Sequence, residues 1–261
     1  MKFDFYVQRD IQKNAILDCE TNDTARLSVA NIFNLPMDAL RTYLSHFEFA
    51  EDQTWERLFE AILIDFNCRW GFSQTAWIHM TRCLPSNNFE RGLLPLPDVL
   101  EETWEILLKL APSSVTASEW NEFKASVEKN SLYKYRLSKN IQYGPYGVLI
   151  GDLSFNAYVG QDHYLREAPE IVILICKEYE KQFGLPLLDE YIKITKPCQV
   201  KFKTDSSDFK DLLAALSYVY ELEQPHPSIW LHNSNCYCGQ GSAVLPTQIL
   251  KVSFLDELAA A

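Results

Sequence analysis

"TAWIHMTRCLPSNNFERGLLPL" runs from Thr75 to Leu96, and its reading decides the fold. The first residues alternate and are rich in strand formers, which predicts a β-strand. Successive strand side chains point to opposite faces, so His79 and Thr81 share a face and Arg82 lies on the other. A histidine and a threonine on one face at a strand end offer two hydrogen bonds to a ribose or an amide. They are equally suited to line the wet side of an ordinary strand. After a loop comes Phe89-Glu90-Arg91-Gly92-Leu93-Leu94-Pro95.

The flanking sequence predicts what surrounds the strand. Before it, "DTARLSVANIF", "PMDALRTYLSHF" and "TWERLFEAILIDFNCRW" carry apolar residues at helical spacing, so residues 1–70 read as a helical N-terminal subdomain. After it, "LPDVLEETWEILLKL" is amphipathic, and "TASEWNEFKASVEK" opens with the capping box Thr116 to Glu119. "APEIVILICKEYEKQFG" is a helix with Pro169 in its first turn and Gly184 at its end. "CQVKFKT" alternates as a strand, "SDFKDLLAALSYVYELE" is a helix, and "SAVLPTQILKVSF" closes with one or two strands. The expected class is α+β: the helical region, then a mixed sheet with flanking helices over residues 71–258. Ala259-Ala260-Ala261 reads as an added tail.

Composition narrows the function. A net charge of −11 disfavours a phosphate backbone as partner. Seven scattered cysteines without a leader predict a reduced, cytoplasmic protein, and no apolar run is long enough to predict a membrane span. Neither GxGxxG, GxxxxGK[ST] nor GxSxG occurs, which argues against Rossmann, P-loop and standard serine-hydrolase chemistry.

"HMTR" with the following "FERGLLP" resembles the opening motif of ADP-ribosyltransferase-like domains. The resemblance implies an ADP-ribosyltransferase-like fold over roughly residues 75–254, with NAD as substrate. His79 would hydrogen-bond the NAD ribose together with Thr81, and Arg82 would meet substrate or phosphate. "GPYGVLIGDLSFNAYVGQDHYL" is similar to the second motif. Tyr164 is the first candidate to stack on nicotinamide, followed by Tyr146 and Tyr158. The third motif departs from the family. "CGQGSAVLPTQILKV" has Ser242 two residues after Gln240, where a glutamate is expected before Ala243. Glu170 and Glu190 are then the candidates to stabilise the oxocarbenium-like charge. Gln240 is assigned with Tyr146 and Tyr164 to the cofactor-binding set.

Three further groups compete with that reading. His226, His232, Cys236 and Cys238 carry zinc-type donors, but Cys-x-Cys lacks the usual knuckle spacing, and an aromatic loop with buried thiols explains them as well. No metal is expected. His163 and Glu167 share a face if a helix starts this early, as an acid–base pair or as an ordinary charged helix entry. Cys83 faces the same way as His79, which makes it a candidate nucleophile.

Two functional expectations follow. The resemblance implies NAD-dependent ADP-ribosyl transfer to a macromolecular acceptor, of the type found in bacterial toxins and anti-phage defence. The missing glutamate and the acidic charge favour the other: a non-catalytic binding or immunity protein with a basic protein partner, such as an antitoxin pair would supply.

Overall fold

The computed structural model describes Arg9 and residues 14–49, 54–138, 144–152, 163–225 and 235–255. In chain order the elements are β1 (Ile16–Leu17), α1 (Asn22–Phe33), α2 (Met37–His46), α3 (Trp55–Asp65) and β2 (Gln74–Cys83). Then come α4 (Leu96–Leu110), α5 (Ala117–Val127), α6 (Ser131–Arg136), β3 (Tyr146–Val148) and α7 (His163–Arg166). The remainder is α8 (Glu170–Phe183), α9 (Leu187–Ile194), β4 (Lys196–Thr204), α10 (Phe209–Leu222), β5 (Cys236–Cys238) and β6 (Ile249–Phe254). The fold is α+β. A six-stranded sheet has the order β5-β3-β2-β4-β6, with β1 also pairing β2. It is mixed: β1 runs parallel to β2, and β3 antiparallel to it, with Ile78 opposite Val148. No helix among the described residues is long and apolar enough to cross a membrane.

The chain forms two compact units, each gathered from separate stretches. The first comprises Met1–Ile78, Val148–Val159 and Phe202–Cys236; the second comprises His79–Gly147, Gly160–Lys201 and Tyr237–Ala261. The sequence alone suggested a single division after residue 70. The difference arises because α10, late in the chain, packs on α1 and α3. Local periodicity shows that a helix has an apolar stripe but not which partner covers it.

In the first unit, Thr21 caps α1 by a reciprocal bond with Thr24, and Asn34 ends the helix in the left-handed conformation. Asp208 caps α10. The apolar faces of these helices bury Val29, Ile32, Phe33, Phe59, Ile62, Leu212 and Leu216. Phe59 meets Phe33 and Trp70 edge-on or tilted, at 5.4 and 5.3 Å between ring centres. Within this unit, Trp77 Nε1 on β2 donates to Thr204 Oγ1 at 2.9 Å.

In the second unit, α4, α5, α8 and α9 enclose a core that includes Trp104, Trp120, Phe123, Ile175 and Tyr179. Trp104 Nε1 donates to the Tyr133 hydroxyl, so the indole is buried without losing its hydrogen bond. The Thr116–Glu119 capping box starts α5 as the sequence predicts, and Gly184 ends α8 at φ 71°. Helix α9 is absent from the sequence reading. It holds only eight residues behind Pro186, too few for a persuasive period.

Candidate functional site

His79 opens the part of β2 that belongs to the second unit. Its Nδ1 lies 2.8 Å from the Tyr146 carbonyl on β3. A carbonyl only accepts, so Nδ1 carries the proton and Nε2 keeps a free lone pair. Burial pulls the imidazole below its ordinary value of 6.5, more strongly than the Tyr146 carbonyl raises it. The ring is therefore a neutral, oriented hydrogen-bond acceptor near pH 7.

It borders a cavity of about 570 Å³. That volume lies in the range of small-molecule sites. Part of the lining is apolar: Leu93, Leu94, Leu96, Val99, Ile106 and Ile171 contribute to it. Another part is polar and aromatic, with His79, Thr81, Tyr146, Tyr164, Arg136 and Glu170. Sequence candidates from β2, β3, α7 and α8 thus meet at one cavity, although His79 and Glu170 lie far apart in the chain.

Each tyrosine has a different environment. Tyr146 follows the cis Gly144-Pro145 bond. Its hydroxyl is buried without a hydrogen-bond partner. Its pKa is raised, first by burial and then by the neighbouring Cys238 thiol. Tyr164, half-buried on α7, is pushed up to about 12 by burial and by Glu170, with Arg136 opposing. Both phenols stay protonated at physiological pH, and both residues line the cavity.

Glu170 stands at the first position of α8, just after Pro169. It is ion-paired with Arg136 from the end of α6. Arg136 is the member of the polar lining that sequence reasoning missed. "SLYKYR" has no chemical signature, and only the packing of α6 against α8 brings its last residue to Glu170.

Arg82 also lines the cavity, and its guanidinium has partners within the protein. It is 8% exposed, and its guanidinium donates to the carbonyls of Leu165, Ile192 and Thr195 and to Thr195 Oγ1. Those oxygens lie at the ends of α7 and α9, where helical carbonyls lack intrahelical partners. Arg82 therefore ties two helix ends to β2, with most of its donors engaged by the protein. The Tyr191 hydroxyl donates back to the Arg82 carbonyl at 3.1 Å.

The remaining candidates lie apart from this lining. Gln240 is exposed, at φ 49°, in a turn held by Gly239 N to Pro145 O and Gly241 N to Gly144 O. It does not line the cavity. Glu190 is paired with Lys193 on the surface of α9. Helix α7 starts at His163 and ends at Arg166, with Glu167 in the turn just after it. Tyr158, His226 and His232 lie outside the described residues. Among those described, no cluster of three metal-type ligands occurs.

The loop after β2 is held by Gly92 and Leu93. Leu93 and Val244 exchange both backbone hydrogen bonds, at 3.0 and 2.9 Å. Gly92 has φ +80°, and a Cβ there would stand 2.0 Å from the Val244 carbonyl oxygen. Only glycine allows that approach. The Gly-Leu pair of the sequence motif thus has a mechanical reason: it fixes the loop that supplies part of the apolar lining.

No protein-family model, no curated protein and no solved structure matches this chain.

Proposed function

We propose that the cavity binds NAD and supports ADP-ribosyl transfer to a macromolecular acceptor, on an ADP-ribosyltransferase-like fold. One observation carries the reading: His79, Tyr146, Tyr164 and Glu170 converge on a single cavity. His79 Nε2 accepts a ribose hydroxyl, and Thr81 assists from the same strand face. A tyrosine ring covers the cationic nicotinamide. The glycosidic C–N bond breaks with its electron pair going to nicotinamide, which leaves neutral. Glu170 faces the ribosyl cation, and the acceptor nucleophile then bonds to the same carbon and loses its proton. The setting suggested is that of a toxin or anti-phage effector.

A second reading is favoured by the Arg136–Glu170 ion pair, which already neutralises the carboxylate. In that case the cavity binds a nucleotide without turnover, and the acidic chain serves a protein partner of antitoxin or immunity type.

Calorimetric titration with NAD, combined with chromatographic detection of released nicotinamide, tests both. Wild type is expected to bind NAD and release nicotinamide. Glu170→Gln is expected to keep binding and to lose about 10²–10³-fold in release. His79→Ala is expected to weaken binding about tenfold. Binding without release, unchanged in Glu170→Gln, selects the second reading. A wild-type protein that takes up no NAD at millimolar concentration sinks both.

A further inference from the structure

Two thiols stand beside the cavity that the NAD reading does not use. Cys83 ends β2, is half-buried and lines the cavity. Cys198 sits on β4 and is fully buried. Each thiol is close enough to shift the titration of the other.

The strand register makes this pairing more than proximity. The start of β2 meets the end of β4: Trp77 bonds Thr204, and Gln74 bonds Asp205 just beyond it. The end of β2 meets the start of β4 at the two cysteines. The strands therefore run antiparallel. The step from Trp77 to Cys83 equals the step from Cys198 to Thr204, so Cys83 and Cys198 are cross-strand partners on the same face. Such partners have Cα atoms about 4.5–5.5 Å apart. Two cysteines can bridge at roughly 4.4–6.8 Å.

The pair is also asymmetric. The neighbouring Cys198 lowers the pKa of the Cys83 thiol, against the opposing effect of burial. Cys83 and burial together raise Cys198. One thiol has the access and the thiolate character of an attacking group, and its buried neighbour holds a proton. The Tyr191 hydroxyl next to Cys83 is raised by burial and stays protonated, so it brings no competing charge.

We propose that Cys83 and Cys198 are a peroxide-reactive thiol pair that closes to a disulfide in the cavity wall. The Cys83 thiolate attacks one oxygen of a hydroperoxide and the O–O bond breaks. The other oxygen leaves as alkoxide or hydroxide and takes up a proton, giving an alcohol or water and Cys83 sulfenic acid. Cys198 sulfur then attacks the sulfenic sulfur, its proton goes to the departing hydroxide, and water leaves. Two thiols are oxidised and one peroxide is reduced. This chemistry is independent of what the cavity binds.

The test uses the reduced full chain and stoichiometric hydrogen peroxide, followed by alkylation and peptide mapping. The expected product is a Cys83–Cys198 crosslink, with the linked peptides two hydrogens lighter and restored by dithiothreitol. Exposed Cys236 maps to a separate peptide and serves as a control for general oxidation. In Cys198→Ser, Cys83 is expected to gain oxygen, as sulfenic and then sulfinic acid. Should that variant fail to fold, Cys83→Ser at the half-buried position must leave Cys198 unlinked and open to alkylation after unfolding. Recovery of wild-type Cys83 as free thiol while Cys236 is oxidised overturns the proposal. So does wild-type Cys83 carried to sulfinic acid without linkage to Cys198.

Discussion

The two halves of β2 carry the same alternation to different ends. From Gln74 to Ile78 the polar atoms are matched by fixed partners: Gln74 with Asp205, Thr75 with the Ser206 carbonyl, Trp77 with Thr204. From His79 to Cys83, Arg82 is equally committed, because its guanidinium donates to carbonyls and a hydroxyl of its own unit even though the residue also reaches the cavity lining. The face with His79, Thr81 and Cys83 borders the same cavity. Polarity along a strand therefore says little about function until one knows what covers each face. Where protein covers it, the polar group is structural; where a cavity does, it is free to meet a ligand.

The contrast can be broken by substitution, and the largest effects belong to the committed positions. Trp77→Ala is expected to cost about 3–5 kcal/mol in denaturant unfolding, since it empties a buried ring site and strands Thr204. Arg82→Ala should cost about 3 kcal/mol, because several buried carbonyls lose their donors together. Arg82→Lys should recover only part of this, as an ammonium cannot reproduce the forked geometry. If Arg82→Ala left stability unchanged but abolished ligand binding, the division of roles along β2 would be wrong. Gly92→Ala comes next, at about 2 kcal/mol or more, from the left-handed backbone and the overlap with Val244.

The cavity face should respond weakly in stability and strongly in binding. His79 sharpens this through pH. Its folded pKa lies below the ordinary 6.5. As pH falls through 6.5, the unfolded chain takes up a proton that the folded chain refuses, so stability drops until the folded value is reached. Below that point the loss is complete. His79→Gln should flatten the slope of stability against pH in this window. A slope unchanged by the substitution would mean that the imidazole is not held neutral. Smallest of all is Thr81→Val. Its hydroxyl makes only a 3.4 Å contact to the Arg82 carbonyl, so unfolding should shift by no more than about 0.5 kcal/mol. A measurable loss of NAD affinity in that variant would place the hydroxyl on the ligand.

Much of the architecture was readable from the chain. The period of α1, α3, α8 and α10, the Thr116 cap and the alternation of β2 and β4 are local properties, and local properties survive in sequence. His79, Tyr146 and Tyr164 were also nameable, because motif spacing singled them out, whereas Glu170 entered only as a substitute for the glutamate missing before Ala243. The partners of Arg82 and Arg136 were not readable. A guanidinium looks the same whether it meets a phosphate, three carbonyls or a carboxylate, and the partners here come from α7 to α9. Gln240 shows the converse: the right residue type in the right segment, turned outward by a left-handed turn that no side-chain pattern announces. The thiol pair needed the sheet order, since nothing in the sequence says that β4 lies beside β2.

The dependence of α1 and α3 on α10 has a consequence in time. On a ribosome these early helices are made well before their cover. At about 5–20 residues per second, the stretch between Phe33 and Phe209 takes on the order of ten seconds or more to appear. During that interval the apolar stripe of α1 has no α10 to rest on. The first unit is therefore complete only after most of the second has been synthesised, which makes the second unit's core of α4, α5, α8 and α9 the earlier of the two to find all its parts.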